Sequence, residues 1–243
     1  MRRRRSPVLL LPGGVPRFPD PSEADDEGLV AIGGDLSVER LLLAYESGIF
    51  PWYDQGLPPL WWSPDPRGVI EPHRLHVSRS LRRELRKAKF EVTFDRAFER
   101  VMRDCAALRD GGTWILPEMI ESYARLHALG HAHSFEVWQG DELVGGLYGV
   151  QRGALFAAES MFHRATNASK VAFVRSVECL FACGVELYDV QFWTEHLGSL
   201  GVSEIPRREY LAHVHRAARK PVSLEPVSRL LERGPTEPRR AFH

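Results

Sequence analysis

The chain has 243 residues, of which 44% are hydrophobic and 26% charged. This is the composition of an ordinary globular protein, and it excludes a disordered, fibrous or membrane-embedded class. Lys+Arg and Asp+Glu both number 32, so a uniformly basic nucleic-acid binder is excluded and any charged partner must meet a local patch. Three cysteines are too few for a disulfide framework, which indicates a reducing compartment, and we expect a cytoplasmic protein without membrane segments.

The chain opens with four arginines and a short apolar run. Val8 to Leu11 is shorter than the roughly 7 to 15 apolar residues of a secretion signal. We therefore expect residues 1–17 to form a flexible basic arm. The sequence Asp35-Leu36-Ser37 and the leucines after it predict a capped helix that ends at Gly48.

Proline and tryptophan dominate the segment from Ile49 to Arg67. So many prolines argue against a helix or a central strand, and they predict an ordered aromatic loop. Its rings either fill a small core or offer their faces to a ligand. In both cases the loop lies near the seam between a small N-terminal domain, residues 18–72, and a larger domain, residues 73–233. The polar residues 234–243 are predicted to be a flexible tail.

The larger region predicts an α+β fold. Its three central strands, near 134–138, 143–150 and 154–158, are joined by short polar loops that suit an antiparallel meander. Other predicted elements are helices at 80–87, 96–108, 117–130 and 169–183, strands at 90–93 and 187–191, and a further helix between 191 and 207. This order of elements is that of a GNAT-like acyltransferase domain, and the analogy concerns the fold alone.

A cluster of cations lies on the first of these helices, interrupted only by Glu84. Because the protein as a whole is neutral, this cluster is a candidate surface for phosphates, bound without reading bases. The alternative is an ordinary solvated helix face. The residues are Arg79, Arg82, Arg83, Arg86 and Lys87.

Two polar residues share one face of the last predicted strand. Asp189 and Gln191 lie two positions apart, and apolar neighbours indicate a central strand, although a solvated edge strand remains the alternative. A buried aspartate needs partners, and the Gln191 amide is a natural one. Glu159 and Ser160 come directly after the predicted third meander strand, either in a cleft or on the surface.

Other chemistries have little support. His127, His131 and His133 straddle a helix end without a matching cysteine or carboxylate cluster, so no zinc site is predicted. Ser160 lacks a G-x-S-x-G elbow, and neither a Walker loop nor G-x-G-x-x-G occurs. Residues 161–170 contain no glycine, which argues against an acyl-CoA donor. We expect no metal and no cofactor.

Taken together, the motifs resemble the leucyl/phenylalanyl-tRNA-protein transferases, with agreement from Phe18 to Tyr210. The motifs are Gly28–Leu36, Gly48–Trp52, Trp61–Arg67, Gly112–Ile115, Gly130–Ser134, Leu143–Gly149, Glu159–Phe162 and His196–Gly201. The resemblance implies transfer of Leu, Phe or Met from aminoacyl-tRNA to proteins with N-terminal Arg or Lys, which creates a degradation signal. It also implies a monomer with a small N-terminal domain and a GNAT-like C-terminal domain.

The resemblance also implies roles for individual residues. Trp52 and Trp114 would bracket the 3′ adenosine of the tRNA, and Glu159, Asp189 and Gln191 would surround the reacting ester. The cations of the basic helix would hold tRNA phosphates. Residues of the substrate site, most of them in the aminoacyl side-chain pocket, would be Phe156, Ser160, Met161, Phe173, Ser176 and Tyr188.

This chain departs from the family pattern at a few of these positions. Ala158 replaces a glycine, Val190 replaces a cysteine, and Phe173, Ser176 and Tyr188 change the side-chain pocket. Two other functions remain open, an N-acetyltransferase and a non-catalytic RNA-binding module. The missing glycine loop argues against the first, and the polar Asp189 and Gln191 pair argues against the second.

Overall fold

The computed structural model describes residues 7–87, 89–108 and 112–233. The smaller of its two sheets has the strand order β1-β2-β4-β3. β1 runs parallel to β2, and the other two pairings are antiparallel. The helix α1, Val38–Glu46, follows β2. The strands are β1 (Val8–Leu10), β2 (Leu29–Gly33), β3 (Phe50–Pro51) and β4 (Leu60–Trp62).

The larger sheet has seven strands in the order β11-β5-β10-β9-β8-β7-β6. β7, β8 and β9 form the predicted antiparallel meander, whereas β9 and β10 are parallel and α5 connects them. The strands are β5 (Arg67–Ile70), β6 (Glu91–Phe94), β7 (Ala132–Gln139), β8 (Glu142–Arg152), β9 (Leu155–His163), β10 (Leu187–Gln191) and β11 (Ser203–Ile205).

The helices α1 to α6 lie close to their predicted positions, whereas α7 and α8 were not predicted. α5 is apolar on nearly all sides because it packs against β7, β8 and β9. In the described part of the chain, α1 is followed by the α-helices α2 (Arg79–Arg86), α3 (Phe98–Ala107), α4 (Pro117–Ala128), α5 (Ala168–Ala182), α6 (Glu195–Gly198), α7 (Arg207–Ala217) and α8 (Val227–Glu232). Among the described residues, none of these helices is long and apolar enough to cross a bilayer.

The prediction of a loop from Ile49 to Arg67 was wrong in part. Trp61 and Trp62 belong to β4, which lies between β2 and β3 in its sheet. The prolines did not prevent this strand because Pro58, Pro59 and Pro64 flank it, and because Pro51 lies in the edge strand β3, where a missing N–H is tolerated.

The predicted flexible arm also differs from the structure. Residues 8–10 pair with β2, and the Gly13 amide donates to Asp35 at 2.7 Å. These backbone hydrogen bonds hold a segment whose exposed leucines contribute little. The four arginines and residues 234–243 lie outside the described residues.

Two β-bulges shape the centre of the larger sheet. Glu159 is the extra residue where β9 pairs with β8, and a second register shift separates Asp189 from Gln191 in β10. Glu159 to Phe162 therefore lie inside β9, although the sequence predicted that they follow it. A bulge places polar side chains within a sheet without ending the strand.

The boundary between the two predicted domains is not visible as a gap in the core. β5 lies before residue 72 yet pairs with β10 and β11 of the larger sheet. One apolar cluster joins Trp61 and Tyr45 from the N-terminal segment to Val101 and Tyr123 from the larger region. The two sheets therefore share a core.

Candidate active site

A buried ion pair forms the centre of the site. The Arg67 Nε and Nη2 atoms donate to the two carboxylate oxygens of Asp189 at 2.8 and 2.7 Å. Both residues are at most 1% exposed. The Tyr210 hydroxyl donates to Asp189 Oδ2 at 2.8 Å. A bidentate pair with an added donor is strong and fixed in orientation.

Arg67 is also held by the N-terminal segment. Its guanidinium lies between the rings of Phe50 and Tyr210, 4.7 and 4.4 Å from their centroids, and Nη1 donates to the Gly48 carbonyl. Burial alone would lower the pKa of Arg67, but the charge of Asp189 raises it above its ordinary value. Arg67 therefore remains a cation that keeps Asp189 in place.

Asp189 fixes the backbone of Gln191, whereas the sequence predicted that it holds the Gln191 side-chain amide. The Gln191 backbone N–H donates to Asp189 Oδ1 at 2.9 Å. Gln191 has a φ of 59°, a region that a residue with a side chain rarely adopts. The bulge and this hydrogen bond together support the conformation, and they turn the side-chain amide toward Glu159.

Glu159 receives the Gln191 amide and lies beside a tyrosine. Gln191 Nε2 donates to Glu159 Oε1 at 3.2 Å, and Tyr45 also hydrogen-bonds with the carboxyl group. Burial raises the pKa of Glu159 to about 8. The nearby charge of Asp189 also raises this pKa, whereas the hydrogen bond from Tyr45 lowers it. The carboxyl group is therefore largely protonated at pH 7 and exchanges a proton easily just above it.

A second tyrosine continues this set of hydrogen bonds inward. The hydroxyls of Tyr45 and Tyr123 are hydrogen-bonded to each other, and both residues are at most 2% exposed. Burial raises the pKa of both tyrosines well above the ordinary value, so both hydroxyls stay protonated. The order of contacts is Gln191, Glu159, Tyr45 and Tyr123, from the bulge into the core.

The structure positions the two predicted stacking tryptophans differently. Trp52 is 41% exposed, and its ring contacts those of Trp62 and Phe192. Trp114 is only 9% exposed and lies just before α4. Next to Trp52, the Tyr53 hydroxyl donates to Glu118 in the first turn of α4 at 3.5 Å, which links the two tryptophan segments. Trp52 therefore offers a ring face to solvent.

The predicted basic helix is present, with its cations on the surface. Ser78 caps α2 by accepting from the Leu81 amide at 3.2 Å, and Leu81 is the buried residue of the helix. The cations Arg79, Arg82, Arg83, Arg86 and Lys87 are exposed. Lys87 pairs with Glu84 at 3.0 Å. One face of α2 is therefore strongly positive.

Residues predicted for the side-chain pocket gather in one place and pack tightly. The Tyr188 ring contacts those of Phe156 and Phe173, at centroid distances of 5.3 and 5.7 Å. The hydroxyls of Tyr188 and Ser176 are 2.8 Å apart, and Ser176 also donates to the Phe173 carbonyl. Met161, which is half-buried, packs against the same cluster, and Ser160 lies beside Glu159 on β9.

The histidines singled out in the sequence have other partners. His133 Nδ1 lies 2.7 Å from Asp95, and His127 Nδ1 lies 2.8 Å from the Ala132 carbonyl. Within the described ranges, no group of three histidine, cysteine or carboxylate residues is arranged to hold a metal ion.

Sequence reasoning missed Arg67, Tyr210, Tyr45 and Tyr123. A signal for Arg67 existed, because a buried aspartate needs a cation and Arg67 ends a motif that was already singled out. The tyrosines carry no local signal, since their partners are 21 to 143 residues away along the chain.

Comparison with known proteins gives consistent results. Residues 69–215 match the family model described as leucyl/phenylalanyl-tRNA protein transferase, and residues 34–65 match that of its N-terminal domain. A leucyl/phenylalanyl-tRNA--protein transferase of Anaeromyxobacter sp. (strain K) is 59% identical over 88% of this chain and 93% of that protein. The protein of that name from Shigella sonnei is 52% identical over 82% and 86%.

A solved structure is much more remote. An aminoglycoside acetyltransferase from an uncultured soil metagenomic sample has a TM-score of 0.36 and 11% identity, covering 55% of this chain and 89% of that one.

Proposed function

The chain belongs to the leucyl/phenylalanyl-tRNA protein transferase family, and from this we propose the following reaction. The enzyme transfers Leu, Phe or Met from aminoacyl-tRNA to the α-amino group of proteins that begin with Arg or Lys, creating a degradation signal. It acts in the cytoplasm as a monomer. The observation that best supports this is the buried ion pair of Arg67 and Asp189 at the bulge of β10, beside which Gln191 donates to Glu159.

The reaction needs little besides positioning and one proton transfer. The acceptor nitrogen forms a bond to the ester carbonyl carbon, the bond to the 3′ oxygen of the tRNA breaks, and the amine proton passes to that oxygen. The ester is already activated, and an α-amine with a pKa near 7.7 to 8.0 is partly neutral at pH 7. Orientation of the two reactants therefore accounts for most of the catalysis.

Glu159 is suited to manage this proton. Its pKa of about 8 is close to that of an α-amine, so a proton moves between the two groups with little change in free energy. The Gln191 amide donates to Glu159 and is too weak a base to act alone. We assign Glu159 the role of holding the acceptor amine and exchanging its proton, and Gln191 that of positioning it.

Asp189 acts through the backbone. Its two oxygens already accept from Arg67, Tyr210 and the Gln191 N–H, so it is poorly placed to receive a further proton. We assign Asp189 and Arg67 the role of holding the bulge that presents the Gln191 amide. This role requires the ion pair to stay intact during turnover.

The donor is held at three places in this proposal. Trp52, with Trp114, contacts the terminal adenosine, since base stacking on an aromatic ring contributes about 1 to 3 kcal/mol without reading sequence. The positive face of α2 holds tRNA phosphates. The aminoacyl side chain contacts the apolar cluster around Tyr188, of which Met161 is the half-buried member.

We further propose that residues 18–72 form a small N-terminal domain and residues 73–233 a GNAT-like domain, with β5 of the first part completing the sheet of the second. The β7-β8-β9 meander, followed by α5 and a strand parallel to β9, supports the second assignment. The shared core indicates that the two parts fold against each other.

The direct test uses purified protein, tRNA charged with labelled Leu, and a peptide that begins with Arg. We expect the label at the peptide N-terminus, and none on a matched peptide with an acetylated N-terminus. A parallel reaction with labelled acetyl-CoA tests the alternative. Acetylation of the peptide without Leu transfer would refute the proposed function.

A further inference from the structure

Three large aromatic side chains are exposed next to Gln191. Trp52, Phe192 and Trp193 are 41%, 41% and 45% exposed. The Phe192 ring lies 5.7 Å from that of Trp52, which in turn lies 6.0 Å from Trp62. We call these four residues the aromatic ridge. Large apolar faces that gather on a surface indicate a binding site.

Two glycines hold the ridge in position. A Cβ atom at Gly68 would lie 2.9 Å from the Phe192 backbone, and one at Gly198 would lie 2.6 Å from the Trp193 ring. The Trp193 indole therefore packs directly on the backbone of α6, and the Phe192 ring packs edge-on against Phe50 at 5.8 Å. Exposure of the ridge results from a defined local structure, which reduces the entropy lost when a ligand binds.

The ridge leads toward the basic helix. The backbone N–H of His76 donates to the Leu200 carbonyl at 2.9 Å, and Ser78, which caps α2, lies two residues after His76. Leu197 and Leu200 pack in the same apolar cluster as Leu81 of α2. The segment after β10 is therefore fastened to the beginning of α2 by this hydrogen bond.

The surroundings of the ridge favour a polyanion. Burial first, and then the charges of Lys170 and His163 nearby, lower the pKa of His196, which lies three residues after Trp193. The lasting cations of this surface are therefore Lys170 and those of α2. Aromatic rings interleaved with cations suit single-stranded nucleic acid, in which bases stack on the rings and phosphates face the cations. An acceptor chain that begins with Arg or Lys would meet like charges here.

We propose that Phe192 stacks on the nucleotide that precedes the terminal adenosine, so that the unpaired 3′ end of the RNA donor follows the ridge from α2 to Trp52. This inference rests on the proposed function. The planes of the Phe192 and Trp52 rings are inclined by 60°. Two successive bases on these rings are therefore splayed, which a single strand permits and a duplex does not.

The test compares two donors that carry the same amino acid, an aminoacyl-adenosine and an aminoacyl-trinucleotide ending in that adenosine. In Phe192→Leu, which keeps apolar bulk but removes the ring, we expect KM for the trinucleotide donor to rise by about 5- to 100-fold. The rise for aminoacyl-adenosine should be several times smaller. Phe192→Tyr keeps a ring and should retain the wild-type KM for the trinucleotide donor. Leu129→Ala removes a 60% exposed side chain at the end of α4 and should change neither KM.

Two outcomes would overturn the inference. Equal rises for both donors would place the Phe192 ring at the terminal adenosine. A change confined to the KM of the acceptor peptide would assign the ridge to the protein substrate.

A binding measurement separates this inference from the proposed function. The probe is an unacylated trinucleotide with 2-aminopurine in its middle position, whose fluorescence reports stacking. Weaker quenching in Phe192→Leu than in wild type supports stacking of the RNA on Phe192, even if no amino acid is transferred. An absence of transfer from both donors would refute the proposed function and leave this inference standing. Equal quenching in the two proteins would refute the inference, whatever the activity.

Discussion

Replacing Glu159 by glutamine should change how stability depends on pH. The folded protein raises the pKa of this carboxyl group from 4.5 to about 8, so between these values the folded state binds a proton that the unfolded state has released. The free energy of unfolding therefore falls as pH rises through this range. Glutamine has nearly the same shape as glutamate and does not titrate. In Glu159→Gln the free energy of unfolding should therefore fall less than in wild type as pH rises through this range.

Proton linkage gives the size of the effect. Between about pH 5.5 and pH 9, a carboxyl group with these two pKa values lowers the free energy of unfolding by about 3 kcal/mol. The assay is urea denaturation at both pH values for wild type and variant. The decrease from pH 5.5 to pH 9 should be about 3 kcal/mol smaller in Glu159→Gln. Aminoacyl transfer should fall sharply, because glutamine cannot exchange a proton with the acceptor amine.

The exposed residue Glu142 provides the control. Glu142→Gln should show the same pH dependence of stability as wild type and the same transfer activity. If the decrease in Glu159→Gln differs from wild type by less than about 1 kcal/mol, Glu159 does not hold its proton as the structure indicates. Wild-type turnover in this variant would remove Glu159 from the mechanism.

Three further outcomes are expected. Asp189→Asn leaves Arg67 as a buried cation without its anion. The variant should therefore lower the free energy of unfolding by about 3 to 5 kcal/mol in urea titrations and reduce kcat. An unchanged urea midpoint would contradict the ion pair. Neutralising Arg83 and Arg86 together should raise KM for charged tRNA far more than for aminoacyl-adenosine, and it should weaken the salt dependence of tRNA binding. Neutralising Arg103 on α3 is the control. Equal effects on both donors would argue against phosphate contacts. For tRNAs charged with Leu, Met, Phe, Asp and Lys, kcat/KM should differ only modestly among the first three, since one methylene in an apolar pocket discriminates by about 1 to 3 kcal/mol. The Asp and Lys donors should be strongly disfavoured, and either of them at the top of the ranking would refute the apolar pocket.

The sequence predicts those elements whose signals are local. α1 follows from the residues around Ser37 and ends before Gly48, and the β7-β8-β9 meander follows from short polar loops between apolar runs. Such signals lie within a few residues of the element that they define. Local patterns were therefore enough for most helices and for the central strands.

The remaining features depend on contacts between distant segments. Asp189 pairs with Arg67, 122 residues earlier, and although Arg67 ends a recognised motif, no local pattern connects that motif with Asp189. The end of β9 was misplaced because Glu159 and Ser160 have the polarity of a loop, whereas a bulge keeps them in the strand. The strand at Trp61 was missed because its prolines were counted without regard to their position.

The contacts of Arg67 also bear on how the enzyme is made. Its guanidinium meets the Gly48 carbonyl, the Phe50 ring, Asp189 and Tyr210. Two of these partners precede the larger domain and two lie in its C-terminal part, so the centre is completed only after Tyr210 has left the ribosome. We expect nascent chains that end before this residue to be inactive, and the enzyme to gain its activity in a single late step of synthesis.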